Sequence, residues 1–264
     1  MPGNVLFIGH SLVGPTMPRM FNVFMEDIGH PDRAAIQIIN GSSLRYNWEN
    51  GATAQGVNAR EVLLDGTYDA VIVTEAVPLD THLQYSDTYG YAQRYFDLAV
   101  GANPDTQFYV YETWNSIGDY PSVWRDRLDQ DLSKWEGIAD YIDANAPAGA
   151  KPVLIIPAGQ AMARLYDAIE AGQVPGLTSI RDIFDDDIHL NDIGNWFIAS
   201  IQAATISGVD PGTLPIATTN PWDKPYGGPD QAMADALIGI VADTLNNYDR
   251  DGRDNVPNGT GGDG

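Results

Sequence analysis

The chain has 264 residues, 36 acidic against 14 basic side chains, and a formal net charge of −22. Apolar residues at 44% and aromatics at 10% can fill a core, which excludes a disordered chain, and the length fits one large α/β domain better than two. The absence of cysteine excludes a disulfide framework, a thiolate nucleophile and Cys-ligated metal, while the charge opposes binding to nucleic acid or an anionic membrane surface.

Along the chain, short apolar runs at 5–8, 35–39, 70–74, 107–111 and 153–156 each end in a polar or glycine-containing turn, and they predict five buried parallel strands. Between the first two, Met17, Met20, Phe21, Phe24, Met25 and Ile28 recur at helical spacing as one apolar stripe. Residues 78–89 have mixed polarity and are expected as a loop. A longer helix carries Trp124, Leu128, Leu132, Trp135, Ile138 and Ile142, and Pro147 must follow it. A further helix is expected over 193–207, and a last one around Met233, Leu237, Ile240 and Val241. The Pro/Gly-rich stretch 210–229 reads as a surface connection. Residues 249–264 offer only Val256 as an aliphatic side chain and are expected as a flexible acidic, glycine-rich tail after a domain spanning 1–248.

This alternation predicts an α/β chain, a doubly wound parallel sheet covered on both faces. Ligand sites in such sheets lie beyond the carboxyl ends of the strands. That directs attention to Gly9-His10-Ser11, Asn40-Gly41-Ser42, Thr74-Glu75 and Glu112-Thr113-Trp114-Asn115. No run reaches the roughly 18 apolar residues of a membrane span. No basic leader precedes residue 5. A cytosolic chain and one whose signal peptide has been removed both fit, so the compartment stays open.

Two motifs carry chemistry. Ser11 follows the first strand on a sharp turn, where its hydroxyl is exposed and backbone N–H groups can hold an oxyanion; an ordinary turn or N-cap serine is the plainer alternative. In Asp185-Asp186-Asp187-Ile188-His189-Leu190-Asn191, an Asp three residues before a His can place its carboxylate on one imidazole nitrogen and leave the other free to take a proton. An acidic helix cap with His189 a bystander is the alternative there, and physics alone leaves Asp185 and Asp187 open beside Asp186. The acidic triplet has no second cluster to complete a metal site. In the tail, Asn247, Asp249, Asp251 and Gly252 match the first half of a calcium loop, but Asn258 stands where a bidentate Glu belongs.

Taken together, Phe7-Ile8-Gly9-His10-Ser11-Leu12 and Asp186-Asp187-Ile188-His189-Leu190-Asn191 resemble the first and last blocks of the SGNH (GDSL-type) hydrolases, with His10 where common members carry Asp. The resemblance implies a three-layer α/β/α sandwich on a five-stranded parallel, flavodoxin-like sheet. It implies Ser11 as nucleophile, His189 as general base and Asp186 as the residue that orients it. It places Gly41 as an oxyanion donor with Ser11, although Gly41 also suits a plain turn. No metal or organic cofactor is implied. The third block departs from the family pattern: Thr74-Glu75 stands where Gly-x-Asn-Asp is usual, leaving Thr74, Trp114 or Asn115 as substitute donors.

The implied activity is hydrolysis of carboxylic esters, most readily short-acyl (acetyl) esters, and carbohydrate esters are candidates because Tyr46, Trp48, Trp114, Tyr120 and Trp124 could stack on sugar rings. The expected partner is a small-molecule or carbohydrate ester. The alternative is a non-catalytic carbohydrate-binding relative with an impaired oxyanion hole.

Overall fold

A computed structural model describes residues 3–30, 33–118, 120–219 and 224–252. The first apolar run becomes β1 (Asn4–Gly9), whose successive side chains alternate between two apolar clusters: Val5 and Phe7 enter one, Leu6 and Ile8 the other. A strand buried on both faces needs helices on both sides, and the chain supplies them.

From β1 the chain turns into α1 (Thr16–Asp27), then β2 (Arg33–Ile38), α2 (Leu44–Asn50), a two-residue strand β3 (Gln55–Gly56) and α3 (Ala59–Val62). It continues through β4 (Ala70–Val73), α4 (Leu79–Tyr85), α5 (Thr88–Ala102), β5 (Gln107–Tyr111), α6 (Pro121–Asn145), β6 (Leu154–Ile156) and α7 (Ala158–Glu170). The last helices are α8 (Asp192–Ser207) and α9 (Gln231–Asn246). Helices α1, α7, α8 and α9 bury their apolar stripes in the cluster with Val5 and Phe7. Helices α2, α3 and α5 bury theirs in the cluster with Leu6 and Ile8, and α6 contributes to both through Trp124 and Trp135.

The sheet order is β3-β2-β1-β4-β5-β6. The five expected parallel strands are all present, in the flavodoxin-like order second, first, third, fourth, fifth, with β1 and β4 paired from Val5↔Ala70 to Ile8↔Val73. The sheet nevertheless has six strands. The sixth, β3, runs antiparallel to β2 through Gln37↔Gly56 and Ile38↔Gln55, and its two exposed residues offer no apolar pattern to read in sequence. The expected loop at 78–89 likewise folds over 79–85 into α4, which buries Leu79 and presents Asp80 to Arg127 and Lys134 of α6.

The C-terminal expectation needs correcting at its start. Helix α9 ends at Asn246, but residues 249–252 then run along the β6 edge: Ile155 N–H donates to the Arg250 carbonyl at 2.9 Å, Arg250 pairs with Asp140 at 2.7 Å, and Asp251 is buried. Contacts to the sheet edge and to α6 hold this apolar-poor segment, so its composition gave no sign of order. The remainder of the expected tail, 253–264, lies outside the described residues, as does Asn258 of the calcium half-loop.

The strand order reverses between β1 and β4. Their carboxyl ends therefore flank the crevice in which such sheets hold ligands.

Candidate active site

Ser11 leaves β1 on a turn closed by the His10 carbonyl, which accepts Val13 N–H at 2.9 Å and Gly14 N–H at 3.2 Å. Glycine at position 9 is a steric requirement: a Cβ there would sit 2.6 Å from Thr74 Cγ2 and 2.9 Å from Val13 Cγ2. His10 is buried, and its partners fix its tautomer. Leu12 N–H donates to Nδ1 at 3.3 Å, so Nε2 carries the proton and donates to the Glu75 carbonyl at 3.0 Å. Burial lowers its pKa from 6.5 to about 4, so the ring is neutral near pH 7. His10 is thus a clamp between the Ser11 turn and the end of β4.

His189 arrives from the far end of the chain on the loop that precedes α8. Bonds from Asp185 N–H to the His189 carbonyl at 2.8 Å and from Asn191 N–H to the Ile183 carbonyl at 3.0 Å close this loop, and the Asn191 side chain caps α8. Asp186 Oδ1 accepts Ile188 N–H at 2.8 Å and His189 N–H at 2.7 Å, and Oδ2 meets His189 Nδ1 at 2.7 Å. The backbone N–H of His189 first, then its imidazole and Ile188 N–H, hold the Asp186 carboxyl down at about 2. Because the carboxylate only accepts, Nδ1 carries the proton and Nε2 turns its lone pair to Ser11 Oγ, 3.0 Å away.

The structure thus brings Ser11, His189 and Asp186 together and separates Asp186 from its neighbours. Asp187 pairs with Arg181 at 2.9 Å, and Asp185 contributes a backbone bond. The loop is fastened to the end of β5 by Ile117 N–H to the Asp187 carbonyl at 2.8 Å and by Trp114 Nε1 to the Ile188 carbonyl at 2.9 Å. Arg181, which also reaches the Gly118 carbonyl, is a supporting residue that no sequence motif marked.

Gly41 stands on the loop after β2, exposed, with φ +66°, a left-handed value that favours glycine. That loop is tied beside the Ser11 turn by Ile39 N–H to the Gly9 carbonyl at 3.1 Å. Among the described residues, the N–H groups of Ser11 and Gly41 donate to no protein acceptor. The substitute donors are mostly committed elsewhere. Trp114 serves Ile188, Asn115 Nδ2 donates to Asp131 at 2.9 Å, and the Thr74 hydroxyl faces the Glu75 carbonyl at 3.4 Å.

Glu75, in the altered third block, has its carboxylate engaged by Leu44 N–H at 3.0 Å, Ala76 N–H at 2.8 Å and the Thr88 hydroxyl at 2.7 Å. Burial raises its pKa, while these donors oppose the rise.

A cleft of about 360 Å³ opens at the ends of β4 and β5, lined by Pro78, Asn115, Ile117, Tyr120, Val123 and Trp124 among others. Of the five aromatics considered for sugar stacking, Trp114 and Trp124 are buried against Phe184, and Trp48 packs on Tyr95 under Arg60. Tyr46 and Tyr120 are exposed. Among the described residues no group of three or more His, Cys, Asp or Glu side chains could hold a metal ion.

No protein-family model matches the chain, and no curated protein matches it significantly. Solved structures do. A protein of the DUF4886 family from Bacteroides uniformis superposes with TM-score 0.56 at 19% identity, over 92% of this chain and 95% of that one. A Parabacteroides merdae protein described as a GDSL-like lipase gives 0.51 at 14% identity, over 78% and 95%. A Bacillus subtilis protein gives 0.52 at 10% identity, over 78% of this chain and 57% of that one. With its parallel strands in the flavodoxin-like order and these neighbours, the chain has the fold of the SGNH (GDSL-type) hydrolases.

Proposed function

We propose that the chain is a serine hydrolase of carboxylic esters, with short acyl groups preferred. One observation carries this reading: Ser11 Oγ lies 3.0 Å from His189 Nε2, whose other nitrogen is held at 2.7 Å by Asp186. Those are the distances at which a hydroxyl can pass its proton to a base whose tautomer is fixed.

Ser11 Oγ attacks the acyl carbon while its proton moves to His189 Nε2, and the carbonyl electron pair goes to oxygen. The N–H groups of Ser11 and Gly41 are the donors for that oxyanion. Collapse of the intermediate breaks the ester C–O bond, and His189 returns the proton to the departing alkoxide. Water, deprotonated by the same nitrogen, then attacks the acyl-serine and releases the acid. Asp186 stays ionised throughout and stabilises the imidazolium. The GDSL-like lipase described above is consistent with ester chemistry on this fold.

A carbohydrate ester is the substrate class we favour, because Tyr120 stands exposed in the lining of an open cleft large enough for a ring-sized alcohol. The non-catalytic alternative rested on the altered third block. It loses its main support because the Glu75 carboxylate is occupied by three donors.

The test is hydrolysis of p-nitrophenyl acetate and octanoate by the wild type and Ser11→Ala. The wild type should favour acetate in kcat/KM and should release acetate from an acetylated glycan. Ser11→Ala should lose on the order of 10⁶ in kcat with its far-UV spectrum unchanged. Comparable turnover by the variant removes Ser11 from the mechanism, and a preference for octanoate removes the short-acyl assignment.

A further inference from the structure

Gly41 and Ser11 come from different strands, and an oxyanion hole made from both works only if their spacing is fixed. Two fully buried polar side chains lie between their loops. Glu75 grips the Gly41 side through Leu44 N–H, the first residue of α2, at 3.0 Å. It grips the Ser11 side through its backbone carbonyl, which takes His10 Nε2–H at 3.0 Å. Asn47 spans the same gap by another route: its amide donates to the Gly9 carbonyl at 3.1 Å and to Ser42 Oγ at 2.6 Å. Each brace therefore touches the residue just before the Ser11 turn or within it, and a residue within three positions of Gly41. Thr88 at the start of α5 and Ala76 complete the Glu75 cage, and His82 Nδ1 lies 3.9 Å from its Oε1.

We propose that Glu75 and Asn47 are positioning residues that set the separation of the Ser11 and Gly41 N–H groups, doing by loop bracing what the usual third-block Asn does by direct donation. The proposal rests on the esterase reading above. The glutamate suits this task because one carboxylate accepts several bonds at once and, lacking hydrogens, commits the surrounding N–H and O–H groups to a single arrangement. Leaving the Leu44 and Ala76 N–H groups without an acceptor in the dry interior would let the α2 loop shift toward water to recover a partner.

A brace of this kind acts on kcat, because the oxyanion exists only in the transition state, while the ground-state ester binds without it. With p-nitrophenyl acetate, Glu75→Ala should lower kcat roughly 10²–10³-fold, the range for a lost oxyanion donor. KM should stay within about threefold, and the shape of the pH–kcat/KM profile should not change, since the Ser11–His189–Asp186 unit is untouched. Glu75→Gln keeps an acceptor for Leu44 and Ala76 and a donor toward Thr88 Oγ, and should restore kcat to within about tenfold of wild type. Asn47→Ala should lower kcat in the same direction with KM unchanged.

A folded Glu75→Ala whose kcat stays within threefold of wild type, even with a lowered Tm, overturns the proposal and leaves a purely structural role. If Glu75→Ala does not fold, Thr88→Val and Asn47→Ala carry the test: a fall in kcat without change in KM supports the brace, and unchanged kcat in both overturns it. Labelling wild-type Ser11 with a fluorophosphonate separates the two readings. A wild type that is neither labelled nor active defeats the esterase assignment and the brace together. A labelled, active wild type with indifferent variants defeats the brace alone.

Discussion

Asp186 does two jobs with one carboxylate: Oδ1 ties down the two backbone N–H groups of its own loop, and Oδ2 orients the His189 ring. Asp186→Asn should therefore cost roughly 10³–10⁴ in kcat, because an amide can present N–H to Nδ1 and favour the wrong tautomer, with KM little changed. Steady-state kinetics on p-nitrophenyl acetate checks it, and a loss below tenfold contradicts the role. The acid limb follows from the same contacts. With its folded pKa depressed to about 2 from 3.8, Asp186 contributes to folding above the ordinary value and loses that contribution as pH falls toward about 2. The carboxylate is 55% exposed, so solvent keeps that contribution small. The meeting of Ser11, His189 and Asp186 was legible through the two blocks that resemble the SGNH hydrolases, whereas residue spacing alone left Asp185 and Asp187 open. Glu75 and Asn47 were not legible, since a buried bridge between loops depends on which strands become neighbours.

At the scale of elements, α7 begins without a side-chain cap of its own: Pro157 supplies none, and Glu112 from the end of β5 reaches across instead. Its carboxyl meets Gln160 N–H at 3.1 Å and the Gln160 amide at 2.9 Å, fully buried, and burial pushes its pKa up to about 8. A raised carboxyl stabilises the fold fully below its unfolded value of 4.5, and that contribution is lost as pH rises through about 8. Stability by urea unfolding should thus decline between pH 6.5 and 8.5, by roughly 1.4 kcal/mol for each pKa unit expressed. Glu112→Gln should flatten that decline; an identical slope in both proteins contradicts it. His10 does not confuse this window, since its depressed pKa acts between about 4 and 6.5. The five parallel strands were legible because strands buried on both faces read as continuous apolar runs. The strand β3 and helix α4 were not, because polar residues and side-chain ion pairs with α6 hold them and they carry no periodicity of their own.

For the molecule as a whole, the segment after α9 matters more than its composition suggested. Ending the chain after Tyr248 removes the Arg250 pairs with Asp140 and Asp143, the Ile155 bond and the buried Asp251. That should lower Tm by several degrees, at about 2–4 °C per kcal/mol for a chain of this size, with kcat unchanged. A Tm unaffected by ending the chain after Tyr248 would show that these contacts contribute nothing. The same contacts cover the hydrogen-bonding edge of β6, as β3 covers that of β2, so the shorter chain should also self-associate more readily.

Ser11 and His189 are separated by 178 positions, the one on the turn after the first strand and the other on the loop before α8. On the proposed mechanism the hydroxyl is made long before its proton acceptor, so a growing chain should not turn over substrate until His189 has emerged. Activity is therefore a late reporter of folding. Recovery of turnover after dilution from urea should record the moment when α8 docks on α1 and β6, whereas far-UV ellipticity records the helices as they form.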